Sequence, residues 1–145
     1  MIYKKNMEDL INIKIIDYGM GNIQSVKNAF ELLNNKVEII NDPSSIRNAD
    51  GIILPGVGAF GNAIKNLKEL KLIGPLKEAV IDQKVPLLGI CLGMQLLADK
   101  SEERGNNEGL SFISGEICKI PHKEGYRLPH VGWNDVTVKK KEPLF

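Results

Sequence analysis

One of the two cysteines, Cys91, lies in a segment typical of a catalytic nucleophile. The segment Gly89-Ile90-Cys91-Leu92-Gly93 repeats the G-x-S-x-G spacing of a nucleophile elbow, with sulfur in place of oxygen. Such a turn holds its central residue in a strained conformation, and the glycines on either side avoid clashes. It places the thiol at the N-terminus of a helix, where the reactive thiolate is favoured. The spacing predicts a cysteine nucleophile, and the alternative is a buried cysteine that only packs.

A cysteine that attacks a carbonyl group needs N–H donors for the resulting oxyanion. We expect one donor from the backbone of Leu92 and a second from Val57, in the glycine-rich loop 55–58. The segment Gly56-Val57-Gly58-Ala59-Phe60-Gly61 also satisfies the G-x-G-x-x-G pattern of dinucleotide-binding folds. It follows the third predicted strand rather than the first, and no later predicted strand ends in an acidic residue. The oxyanion interpretation is therefore preferred to nucleotide binding.

The sequence does not identify a general base for this cysteine. A histidine oriented by a carboxylate is the usual base, and the chain has only His122 and His130. We expect His122 to be exposed in a loop, whereas His130 is surrounded by residue types common at interfaces and could contact a partner. Glu103 and Glu108 follow the elbow in a polar loop, which either returns to the Cys91 site or stays solvated.

Strands and helices that alternate along the chain would position these residues. The predicted strands cover residues 13–17, 36–40, 51–54 and 85–88, and two later strands cover 113–120 and 135–139. Four helices are predicted. The first begins after Asn22 as its N-cap, the second covers residues 60–67, the third begins at Gly74-Pro75, and the fourth runs from Cys91 to Leu97. This order predicts an α/β domain with three αβα layers, a mostly parallel sheet, a central elbow strand and a site at its carboxyl edge.

The composition indicates an ordinary globular protein. The chain has 145 residues, a formal net charge of +1, 43% hydrophobic residues and 26% charged residues, and we expect one domain with neither a nucleic-acid nor a membrane surface. Cys91 and Cys118 form no spacing known for zinc or a disulfide framework, so we expect no metal and no cofactor, in a reducing, cytoplasmic setting. Residues 1–12 are predicted to be an N-terminal extension.

Four segments together resemble the class I glutamine amidotransferases. They are Asp17-Tyr18-Gly19-Met20-Gly21-Asn22, Pro55-Gly56-Val57-Gly58, Gly89-Ile90-Cys91-Leu92-Gly93-Met94-Gln95 and Pro129-His130-Val131-Gly132-Trp133-Asn134. The resemblance covers residues 13–145 and implies a flavodoxin-like fold. It implies that Cys91 attacks the side-chain amide of glutamine, releasing ammonia and leaving a glutamyl thioester for hydrolysis. In this resemblance Val57 and Leu92 supply the oxyanion donors, and the glutamine-binding residues are Gly56, Gly58, Gln95 and Glu103.

The last segment resembles family members that pass ammonia to a (β/α)₈-barrel synthase subunit of histidine biosynthesis, which makes imidazole glycerol phosphate. The resemblance implies that the barrel subunit contacts Asn22, Pro129, His130, Trp133 and Asn134. It also implies that this subunit switches the loop 55–58 into its oxyanion geometry. Two alternatives stay open: a glutaminase that serves a sugar amidotransferase of surface-polysaccharide synthesis, and a non-catalytic interaction domain.

Family members continue past the position of Phe145, and their catalytic His-Pro-Glu segment lies in that continuation. Neither His122 nor His130 matches the family histidine. We therefore expect residues 13–145 to lack the C-terminal part of the family domain, either as a fragment of a longer protein or as a truncated product. The thiolate could then react with electrophilic glutamine analogues without turnover.

Overall fold

A computed structural model describes residues 11–125, 127–129 and 131–139, and its central feature is a four-stranded parallel sheet. The strands are β1 (Asn12–Ile16), β2 (Lys36–Ile40), β3 (Gly51–Gly56) and β4 (Leu87–Cys91), in the order β2-β1-β3-β4. All three neighbouring pairs are parallel, which confirms the predicted α/β class. Residues 1–10 of the predicted extension lie outside the described residues. The strand β1 begins at Asn12.

Helical segments connect the strands and cover both faces of the sheet. They are α1 (Ile23–Leu32), a 3₁₀ turn (Pro43–Ile46), α2 (Phe60–Glu69), α3 (Ile73–Lys77) continuing into a π-helical turn (Glu78–Asp82), and α4 (Leu92–Gln95). Successive strand residues point to opposite faces, so β3 contributes Ile53 to one apolar cluster and Leu54 to the other. The cluster around Ile53 includes Phe30 of α1, and the cluster around Leu54 includes Phe60 of α2. The predicted three-layer arrangement is therefore confirmed.

The helix α2 forms where the sequence predicts it. Its buried residues are Phe60, Ala63, Ile64 and Leu67, which lie on one helical face at i, i+3, i+4 and i+7. Burying each large side chain contributes roughly 1.5–3 kcal/mol. This face fixes α2 against the sheet and thereby fixes the loop that joins β3 to α2. Among the described helices, none has the length and apolar character needed to cross a membrane.

The position of β4 differs from the prediction. We expected the elbow strand to be central, but in the described part of the chain β4 pairs only with β3 and lies at the edge of the sheet. The following strands do not add to this sheet. They form a separate small sheet of β5 (Lys100–Ser101), β6 (Asn107–Glu108) and β7 (Glu116–Ile117), in the order β6-β5-β7.

The strands predicted for residues 113–120 and 135–139 are largely wrong. In the first range only β7 is a strand, and at the start of the range Ile113 N–H donates to the Leu97 carbonyl oxygen at 3.0 Å instead of pairing with a strand. The second range has no regular structure. Its apolar residues Val136 and Val138 are exposed, so alternation there reflects no buried sheet face.

The elbow helix is also shorter than predicted. α4 has one turn and ends at Gln95, although the apolar pattern continues to Leu97. The α-helical bonding stops because Leu97 N–H donates to Met94 O, three residues back, at 3.2 Å, and the carbonyl groups beyond the helix accept from the chain returning through residues 109–113. Leu110 N–H donates to Leu96 O at 2.8 Å, and Ser111 N–H donates to Ala98 O at 3.1 Å. With so few aligned peptides, the dipole expected to favour the thiolate comes from a single turn.

Candidate active site

Cys91 has the strained conformation that the elbow spacing predicts. It is the last residue of β4 and directly precedes α4, with φ of 53° and ψ of −116°. A positive φ of this kind costs of order 1–3 kcal/mol at a residue other than glycine. The turn leaves Cys91 exposed, while the next residue, Leu92, is buried. The elbow thus presents the thiol to solvent at the carboxyl edge of the sheet.

The glycines on either side of Cys91 are required by close backbone contacts. A Cβ atom on Gly93 would lie 1.7 Å from the carbonyl oxygen of Leu54 in β3. A Cβ atom on Gly89 would lie 2.5 Å from the Cα atom of Met94 in α4. Neither distance is compatible with a side chain, so the steric reason given for the G-x-C-x-G spacing is confirmed.

The glycine-rich loop 55–58 lies directly beside the elbow. β3 and β4 pair so that Gly56 is opposite Cys91. A Cβ atom on Gly56 would be 2.9 Å from the backbone nitrogen of Gly93 and 3.0 Å from the Cβ atom of Leu92. The structure therefore brings together Gly56, Leu92 and Cys91, three of the residues predicted for the site.

The Val57 N–H group is already hydrogen-bonded in this conformation. It donates to the carbonyl oxygen of Met20 at 3.3 Å, while the Val57 side chain is exposed. The next residue, Gly58, has a φ of +106°, and a Cβ atom there would lie 2.8 Å from the Met20 methyl carbon. Donation from Val57 to an oxyanion therefore requires the Gly56–Val57 peptide to turn away from Met20.

Tyr18 is a neighbour of the site that could not be recognised from the spacing of the motifs. Its side chain is buried, and its hydroxyl group donates to the carbonyl oxygen of Pro55 at 2.8 Å. Burial raises the pKa of this hydroxyl group to about 12, and the negative charge of a Cys91 thiolate acts in the same direction. Its place in the chain indicates this position, because Tyr18 follows β1, and β1 is adjacent to β3 in the parallel sheet.

Gln95 and Glu103 line one cavity of about 400 Å³ beside the small sheet. The other residues lining it are Ser101, Glu102, Arg104, Ile117, Cys118 and Lys119. The Oε2 atom of Glu103 accepts a hydrogen bond from Phe60 N–H at 2.7 Å, at the first residue of α2. Both acidic residues of this polar loop are exposed, but only Glu103 has a hydrogen bond to the start of α2, beside the loop that joins β3 to α2, while Glu108 lies in β6.

The residues predicted to face a partner lie on the surface where they are described. Asn22, Pro129, Trp133 and Asn134 are exposed, and His130 lies outside the described residues. Pro129 and Asn134 line a cavity of about 910 Å³, whose other lining residues are Ile120, Pro121, Lys123, Gly125, Arg127, Leu128 and Val131. Asn22 is the N-cap residue of α1, as predicted, and its carbonyl oxygen accepts from Val26 N–H at 3.3 Å, but its side chain makes no capping hydrogen bond. His122 is exposed, as expected.

A parallel αβα sheet with a cysteine elbow beside a glycine-rich loop defines an α/β domain of the nucleophile-elbow class. The sequence matches the family model "Glutamine amidotransferase class-I" over residues 14–144. The chain therefore belongs to the class I glutamine amidotransferase family.

Relatives in bacteria share much of the sequence. The chain is 47% identical over 136 residues to "Imidazole glycerol phosphate synthase subunit HisH" of Prochlorococcus marinus, a match covering 94% of this chain and 63% of the relative. It is 47% identical over 133 residues to "Imidazole glycerol phosphate synthase subunit HisH 1" of Campylobacter jejuni, covering 92% and 66%. The chain thus spans slightly less than two thirds of these relatives. A solved glutamine amidotransferase structure has a TM-score of 0.55 at 19% identity, covering 61% of this chain and 46% of that one, which supports the fold.

Proposed function

We propose that this chain is the glutaminase part of an imidazole glycerol phosphate synthase. The observation that carries the proposal is the exposed, strained Cys91, which lies opposite Gly56 of the glycine-rich loop. The names of the relatives favour this function over a glutaminase that serves a sugar amidotransferase. The proposal assigns residues 13–145 to the amidotransferase domain and residues 1–12 to an extension, and it places the reaction in the cytoplasm.

The proposed reaction begins when the Cys91 thiolate attacks the side-chain amide carbon of glutamine. The amide oxygen becomes an oxyanion, which accepts hydrogen bonds from Leu92 N–H and, once it has left Met20, from Val57 N–H. Collapse of the tetrahedral intermediate breaks the carbon–nitrogen bond, and the nitrogen takes up the proton that the Cys91 thiol lost on becoming a thiolate and leaves as ammonia. Water then hydrolyses the glutamyl thioester to glutamate and restores the thiol.

The cavity that contains Gln95 and Glu103 is suited to the amino-acid end of glutamine. A carboxylate such as that of Glu103 can accept hydrogen bonds from the α-ammonium group, and the Gln95 carboxamide can both donate and accept. The absence of side chains at Gly56 and Gly58 would let the substrate approach the loop backbone closely. In this proposal glutamine extends from the cavity toward Cys91.

The proposed regulation depends on the hydrogen bond between Val57 and Met20. Met20 lies in the turn that leads to the exposed Asn22, so a partner bound at Asn22 could withdraw the Met20 carbonyl from Val57. Trp133 is fully exposed, with 103% relative accessibility, and aromatic residues of this kind are enriched in interfaces. We assign this surface, together with Pro129, His130 and Asn134, to a (β/α)₈-barrel synthase subunit that receives the ammonia.

The proposal is tested by measuring ammonia release from glutamine, using the full natural chain with and without its barrel subunit and that subunit's nucleotide ligand. We expect release that the partner and ligand stimulate. Cys91→Ala should abolish both this release and covalent labelling by an electrophilic glutamine analogue, with an unchanged fold, because the thiol is the attacking group. Persistent labelling of the Cys91→Ala variant would assign the nucleophile elsewhere. Partner binding without ammonia release would instead indicate an interaction domain.

A further inference from the structure

The Tyr18 hydroxyl group makes a buried hydrogen bond at the base of the glycine-rich loop. Tyr18 is 1% exposed, and its hydroxyl group donates to the carbonyl oxygen of Pro55 at 2.8 Å. That carbonyl belongs to the Pro55–Gly56 peptide, which lies one residue before the Val57 N–H group. Because Gly56 pairs in register with Cys91, the hydrogen bond is made next to the candidate nucleophile.

The hydroxyl group occupies space that a side chain at residue 56 would need. A Cβ atom built on Gly56 would lie only 2.3 Å from the Tyr18 Oη atom. The backbone of Tyr18 is held in turn by α2, because the Asn66 side-chain amide donates to the Tyr18 carbonyl oxygen at 2.9 Å. Tyr18 is therefore fixed at its backbone and at its hydroxyl group, and the glycine at 56 is matched to it.

Two successive peptides of the loop are held in different ways. The Pro55–Gly56 peptide is held by a buried hydrogen bond of 2.8 Å from a side chain within the core. The Gly56–Val57 peptide is held by a longer bond of 3.3 Å to the backbone of Met20, and Val57 itself is exposed. A rearrangement of the loop should therefore break the second bond and leave the first intact.

We propose that Tyr18 is a positioning residue for amide hydrolysis at Cys91. Its hydroxyl group fixes the Pro55–Gly56 peptide, so that rotation is confined to the Gly56–Val57 peptide when the Val57 N–H leaves Met20 for the oxyanion. Tyr18 touches neither the substrate nor the reacting atoms in this proposal, and it acts through the loop backbone. The inference rests on the proposed glutaminase function and names a residue that supports the same site.

The test compares Tyr18→Phe with wild type in the full natural chain bound to its barrel subunit. Without the hydroxyl group the oxyanion donor is less well placed, so kcat for ammonia release should fall about tenfold while KM for glutamine changes less than twofold. The control is Ile52→Val, which removes one methyl group from a buried residue of the same apolar cluster. It should change kcat less than twofold. Alkylation of Cys91 by iodoacetamide forms no oxyanion, so its rate should be the same in Tyr18→Phe and wild type.

Amide hydrogen exchange at Gly56 and Val57 tests the anchor without glutamine turnover. We expect Tyr18→Phe to speed this exchange several-fold and to leave Ile39 in β2 unaffected, since the loss of the anchor is local. If the wild-type complex releases no ammonia, the proposed function fails, and the exchange result alone decides whether Tyr18 anchors the loop. An unchanged or increased kcat in an active complex, a change confined to KM, or unchanged exchange at both residues would each overturn the proposal.

Discussion

Replacing Gly93 with alanine tests the close packing that defines the elbow. The new Cβ atom would lie 1.7 Å from the Leu54 carbonyl oxygen and 2.7 Å from the Leu54 carbonyl carbon. To reach ordinary contact at 3.4 Å, the elbow and β3 would have to separate by about 1.7 Å. Overpacking usually costs about 1–3 kcal/mol, and here both contacting groups are backbone, so we expect about 3 kcal/mol or more. That is a large part of the roughly 5–15 kcal/mol that stabilises a typical domain.

Chemical denaturation of the Gly93→Ala variant measures this cost. The matched control is Gly51→Ala, because Gly51 lies in β3, the same strand that contacts Gly93, and a Cβ atom there would meet only the Pro86 carbonyl oxygen, at 4.0 Å. Alanine is favoured over glycine inside a strand by about 0.5–1 kcal/mol, so the control should be neutral or slightly stabilised. A Gly93→Ala variant whose free energy of unfolding lies within about 0.5 kcal/mol of wild type would refute the steric account of the elbow.

Two further predictions concern carboxylates. Hydrogen bonds from Lys14 and Lys36 lower the pKa of Glu38 to about 2 from its ordinary value of 4.5, so its stabilising contribution is complete above pH 4.5 and is lost between pH 4.5 and 2. The melting temperatures of wild type and Glu38→Gln should therefore differ most above pH 4.5 and converge near pH 2, and a constant difference would contradict this. Glu103→Ala removes the acceptor for Phe60 N–H and should lower the free energy of unfolding by about 1 kcal/mol, measured by denaturation. Glu103→Gln keeps an acceptor oxygen, so its free energy of unfolding should fall less than that of Glu103→Ala. An equal decrease in the two variants would exclude this hydrogen bond as the cause.

The parts of the fold that could be predicted from sequence are those in which local pattern and tertiary packing agree. The four buried residues of α2 recur at helical spacing, and the same residues pack on the sheet. The elbow is predictable for a different reason. Backbone contacts with Leu54 and Met94 leave no space for side chains at residues 89 and 93, so glycine at these two positions indicates the turn directly.

The elements whose position or length was predicted wrongly depend on hydrogen-bond partners that no local sequence pattern specifies. Whether β4 is central or at the edge depends on which other strand pairs with it. The segment after α4 does not continue as a helix, and the carbonyl groups of Leu96 and Ala98 accept instead from residues about fifteen positions further along the chain. The state of the Val57 N–H group is likewise set by Met20, which is distant in sequence and contributes only a backbone carbonyl. Backbone acceptors leave no signature in the residue type.

The contacts around Gly56 restrict how the glycine-rich loop can move. On one side, the backbone of Gly93 and the side chain of Leu92 leave no room for displacement toward the elbow. On another side, the Tyr18 hydroxyl group holds the preceding carbonyl. The backbone can therefore rotate only after Gly56. Gly58, with its positive φ, provides a second point at which the backbone can turn. A rotation bounded by these two glycines would move the Val57 N–H without disturbing β3, so the proposed oxyanion donor can change its hydrogen bond while the candidate nucleophile Cys91 stays in place.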